Sequence, residues 1–87
     1  MKIKKGFMLR EIAGQPVVVP LGSKVIEFNG LMTLSESGAA LWRIMEKETT
    51  MDELEEFLLS EYDIDKDTVQ KDVEYFVESM KNNGILE

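Results

Sequence analysis

The spacing of apolar residues changes once along this chain, at about residue 34, and the sign of its charge changes there too. Before that point β-formers alternate with glycine-bearing turns. After it, apolar residues recur three and four apart. Residues 1–34 carry five bases and two acids, a balance of +3, whereas residues 35–87 carry five bases and fifteen acids, a balance of −10. No linker separates the parts, and 87 residues support one modest core, so both parts must share it. The expected unit is one domain spanning 1–87, with strands over about 6–29 and helices over about 35–83.

In the first part, Phe7 to Ile12, the valine run from Pro16 to Pro20, and Lys24 to Asn29 read as three strands, separated by Ala13-Gly14-Gln15 and Leu21-Gly22-Ser23. The middle strand is short and apolar throughout, as suits pairing on both sides, and its prolines stand at its ends, where a missing N–H costs least. The second part predicts three helices. Ser35 caps the first, with Leu34 stapled against Ala39 and with Leu41, Ile44 and Met45 on one face. Thr50 with Glu53 forms a capping box for the second, and Asp67 with Gln70 repeats the signal for the third. That last helix carries the stripe Val69, Val73, Phe76, Val77 and Met80 and ends at Asn82-Asn83-Gly84, with Gly84 in the left-handed conformation. Ile85 and Leu86 then fold back on the core. Trp42, a third of a turn off the Leu41/Met45 line, is expected at the core's edge.

A meander cannot persist alone and each helix is amphipathic, so the sheet packs on the helical trio. The fold class is α+β: a winged-helix-like arrangement of an N-terminal three-stranded antiparallel meander on three C-terminal helices.

The chain has neither histidine nor cysteine, which removes the commonest metal ligands, the neutral-pH proton shuttle and the thiol nucleophile. No catalytic residue, metal site or cofactor of its own is expected. Asp63, Asp65 and Asp67 alternate as in a calcium loop, but the central glycine and terminal glutamate of such a loop are missing. The acids Asp52, Glu53, Glu55 and Glu56 read as a solvated face. No export signal or membrane span is visible, and a cytoplasmic protein is expected.

The helices from Thr50 to Asn82 also fit a helix-turn-helix, which makes a winged-helix DNA-binding regulator the main alternative, beside a general interaction scaffold. The last helix and its cap carry more acids than bases and no arginine, which opposes contact with a polyanion. Strand edges are more informative. The first strand is preceded by Lys2, Lys4 and Lys5, which discourage stray pairing, whereas Lys24 to Phe28 has no proline and can accept a further strand or, alternatively, a second copy through strand swapping.

Several stretches together resemble one family. They are Phe28-Asn29, Leu34-Ser35-Glu36-Ser37-Gly38-Ala39-Ala40-Leu41-Trp42, Thr50 with Leu54, Tyr62, Asp72-Val73, Phe76 and Gly84-Ile85-Leu86. The chain from about Phe7 to Leu86 resembles the coenzyme PQQ synthesis protein D (PqqD) family of RiPP recognition elements. The resemblance implies a non-enzymatic chaperone that binds the leader of a ribosomally made precursor peptide. The leader would add to the third strand, beside the third helix, and be presented to a modifying enzyme, often a radical SAM protein whose clusters belong to that partner. Combined with the residue reading, this assigns the peptide ladder to the backbone of Lys24, Val25, Ile26, Glu27 and Phe28. Asp72, Tyr75 and Ser79 on one flank of the last helix are taken as the groove contacts, with Phe76 of the stripe itself; Gln70 and Val77 lie on the other flank, and the packing handedness decides which flank faces the third strand. Acids in the leader would be welcome near Lys24 and the Lys2/Lys4/Lys5 arm.

Overall fold

The computed structural model of the chain describes every residue except Asn29, and for Glu27 the backbone alone. Strand β1 (Phe7–Ile12) turns through Ala13 and Gly14 into β2 (Gln15–Pro20). Both turn residues have positive φ, 54° and 79°, the combination that matches the right-handed twist of a two-residue hairpin. Ile12 pairs with Gln15 and Phe7 with Pro20. A short helix, α1 (Lys24–Phe28), follows, and then β3 (Met32–Thr33), which pairs antiparallel with the other edge of β2. The sheet order is β1-β2-β3. Helices α2 (Glu36–Met45), α3 (Met51–Glu61) and α4 (Lys66–Asn82) complete the chain.

The predicted class is therefore the observed one, a three-stranded antiparallel sheet followed by helices, but the third strand is not where the sequence suggested. Lys24 to Phe28 is helical. The turn at Gly22 starts it: Lys24 donates its N–H to Leu21 and Val25 to Gly22, winding the chain before any ladder can form. Helical spacing then half-buries Lys24 and Phe28, with the Phe28 ring edge-on to Phe7 at 5.3 Å, and leaves Ile26 86% exposed. One side-chain anchor outweighs a β-branched pair. Asn29, the predicted end of that strand, lies outside the described residues.

β2 supplies Val18 to a core that also holds Leu41, Trp42, Met45, Leu54, Leu58, Val69, Val73 and Met80. Trp42 is fully buried, not at the core's edge, and among the described residues its indole N–H has no partner. Caps set the helix ends. Ser35 Oγ accepts from Gly38 N–H at 3.1 Å and Thr50 Oγ1 from Glu53 N–H at 3.2 Å. The Glu53 carboxylate accepts from the Thr49 hydroxyl at 2.6 Å, so the box closes on Thr49. The cap of α4 is Asp65 and not Asp67, because Asp65 accepts both the N–H and the hydroxyl of Thr68. At the other end Gly84, at φ 70°, donates to Lys81 and Ile85 donates to Met80, the paired bonds of a Schellman motif. Ile85 is fully buried, and Leu86 forms an antiparallel bridge with Ile3.

Two outcomes follow. Gly84→Ala places a Cβ in left-handed backbone and should cost about 1–2 kcal/mol in urea unfolding. The hydrogen bonds from Thr68 hold the Asp65 carboxyl below the usual carboxylate range. Its contribution is full above the unfolded value of about 4 and is lost as the pH falls through the lowered folded value. Asp65→Asn should keep the cap and remove that part of the acid sensitivity, read from stability measured against pH.

Candidate functional site

Along an antiparallel ladder, residues alternate between turning their N–H and C=O toward the partner strand and away from it. Leu34 donates its N–H to the Pro16 carbonyl at 2.9 Å. Proline has no N–H to return, and Gln15 Nε2 takes its place, donating to the Leu34 carbonyl at 3.2 Å. With Leu34 facing β2, Met32 faces it too, and Thr33, opposite Val17, turns both backbone groups outward. Outside the sheet no described backbone group bonds to Thr33. This edge is open.

Asp72, Tyr75, Phe76 and Ser79 recur on α4 at spacings of three and four, which sets them on one side of the helix. That side faces β3 and the start of α2 across a groove of about 570 Å³. Met32, Thr33 and Leu34 form the opposite wall, Ser35, Ser37 and Gly38 close one part of it, and Leu41, Leu58 and Met80 from the core line its base. Phe76 is 8% exposed and Tyr75 79%, so the first belongs to the base and the second to the rim. Gly38 keeps the groove open: a Cβ there would stand 3.2 Å from Ser35 Oγ and 3.3 Å from the Phe76 ring.

The structure thus gathers the four α4 residues and separates them from Lys24, Val25, Ile26, Glu27 and Phe28. Helical backbone offers no ladder, so the strand on which that assignment was built is absent. Met32 and Thr33 went unrecognised in the sequence. The alternation Leu31-Met32-Thr33-Leu34, whose second and fourth members pack inward, was the signal for them. The basic residues are separate as well. Lys4 and Lys24 line another cleft with Phe7, Phe28 and Gly84, and the basic arm is tied down, with Lys4 donating to the Ile85 carbonyl and Glu87 donating to that of Lys2. Among the described residues no acidic cluster of metal-site geometry occurs, and no helix is long and apolar enough to cross a membrane.

Residues 17–86, from the second residue after β2 begins to the C-terminal bridge, match the family model of Coenzyme PQQ synthesis protein D (PqqD). The chain belongs to the PqqD family. No curated protein matches it. Among solved structures, TbiB1 in complex with the TbiA(beta) leader peptide is similar with a TM-score of 0.79 and 24% identity, over 100% of this chain and 95% of that one. A lasso peptide synthetase B1 complexed with the leader peptide gives 0.75 and 18%, over 97% and 93%. Both share the fold of this PqqD-family chain.

Gly38 provides a check on the groove's base. Gly38→Ala gains about 1 kcal/mol of helix propensity but presses on Phe76. Stability should therefore change by less than about 1 kcal/mol while the Phe76 ring resonances move. Gly38→Val, with no such slack, should destabilise by about 1–3 kcal/mol.

Proposed function

We propose that this chain is a non-catalytic, cytoplasmic peptide-binding domain. It takes the leader of a ribosomally synthesised precursor as an added strand along β3 and presents the rest of the peptide to a modifying enzyme, such as a radical SAM maturase. The observation that carries this reading is the outward-turned backbone of Thr33, set across a groove from the Asp72/Tyr75/Ser79 flank of α4. Strand addition draws affinity from main-chain hydrogen bonds and selectivity from side-chain pockets, and the groove offers both. Membership of the PqqD family and the leader peptides bound in TbiB1 and in the lasso peptide synthetase B1 support it. The domain brings no cofactor of its own; any cluster belongs to the enzyme.

The side chains of Val25 and Ile26, exposed on α1, remain part of the proposed surface as contacts for peptide emerging beyond β3, while the ladder passes to Leu31 and Thr33. A DNA-binding role finds no observation in its favour, since α4 with its cap carries five acids and three bases.

Proline at position 33 tests the strand addition directly. It removes the outward donor, leaves the β2–β3 ladder intact and keeps Met32 in extended conformation. Against the TbiA(beta) leader, Thr33→Pro should weaken binding about 2- to 12-fold, the worth of one net hydrogen bond. Thr33→Val should bind as the parent does. Backbone NMR shifts on titration should gather at residues 31–33, 72, 75 and 79; shifts confined to the Lys4/Lys24 cleft would overturn the assignment.

A further inference from the structure

We infer that Asp72 makes the groove select peptides bearing a lysine or arginine at the position facing it, an inference that rests on the leader-binding reading. Of the described side chains lining the groove, Asp72 alone is acidic and none is basic. It is exposed, and among the described residues no ion pair or hydrogen bond engages its carboxylate. The field inside the groove follows from what surrounds it. The start of α2 would favour an anion through its helix dipole, but Ser35 Oγ already accepts from Gly38 N–H and Glu36 stands in that first turn. The nearest base in sequence, Lys71, lines a depression on the other side of Tyr75 together with Glu74 and Glu78. Lys4 and Lys24 belong to the separate cleft beside Phe7 and Phe28. Asp72 therefore sets the sign, within a half of the chain that carries ten more acids than bases. This reverses the expectation that the peptide's acids are the favoured ones.

An exposed pair of this kind is modest, so a basic residue over Asp72 should be preferred about two- to fivefold to a neutral one, with the preference shrinking at about 0.5 M salt. The probe is a displayed library of random extended peptides, selected on the whole chain. The expected result is enrichment of Lys or Arg at one register position, lost in Asp72→Asn and reversed to Asp or Glu in Asp72→Lys. The asparagine variant carries the test should the lysine variant fold poorly. Enriched peptides that depend on Thr33 but show no charge preference, or one that Asp72→Asn leaves unchanged, would overturn the role of Asp72 and leave leader binding standing. No enrichment, or enrichment indifferent to Thr33→Pro, would overturn both.

Discussion

The direction of hydrogen bonding along β2 determines what the rest of this fold can do. Each residue of a strand can serve one neighbour only, so Gln15, Val17 and Val19 are committed to β1 and Pro16 and Val18 to β3. Pro16 falls on the β3 side, where its missing N–H would leave the Leu34 carbonyl without a donor. The Gln15 amide fills that role from the same strand. This repair fixes the register of β3 to one value, and the register in turn decides that Thr33, and not Met32, presents its backbone to the outside. A shift by one residue would bury the open edge and turn Met32 out of the core.

Features that local chemistry decides were legible in the sequence. Ser35 and Thr50 marked two helix starts, and Asn83-Gly84 marked the last helix end, because each rests on a hydrogen bond within a few residues. What was not legible depended on distant partners. Val25-Ile26 carries a strand's propensity, yet the ring of Phe7, about twenty residues away, selects the helical spacing that brings Phe28 onto it. The choice of cap for α4 is a separate, local case: Asp65 and Asp67 offer the same chemistry, and Thr68, three residues after Asp65, gives the earlier one both its N–H and its hydroxyl.

The same distinction divides the candidate site. Asp72, Tyr75, Phe76 and Ser79 could be read as one side of a helix because α-helical period needs no tertiary knowledge. Their counterpart could not. β3 is two residues long, so the alternation from Leu31 to Leu34 that marks it is too brief to outweigh the stronger strand propensity of Lys24–Phe28, and its role as the sheet's edge depends on α1 having removed Lys24–Phe28 from competition for β2. The family resemblance, carried in part by Phe28-Asn29 as the end of a third strand, placed that strand before β3, whose residues are Met32 and Thr33.

A groove between a strand and a helix recognises an extended chain only if the distance between its walls is held before the chain arrives, since ordering it on binding would consume the affinity that the ladder supplies. Here the helical wall is fixed at both ends. Asp65 secures the first turn of α4, and the Schellman turn at Gly84 sends Ile85 into the core and Leu86 into its bridge with Ile3. Ile3 in turn donates to the Met45 carbonyl at the end of α2, the helix whose first turn closes the groove. The two ends of the chain thereby tie α4 to α2, and α2 follows β3 directly through Leu34 and Ser35. Both walls belong to one connected frame, so the spacing between Thr33 and the Asp72 flank is a property of the folded core and is in place before any peptide binds.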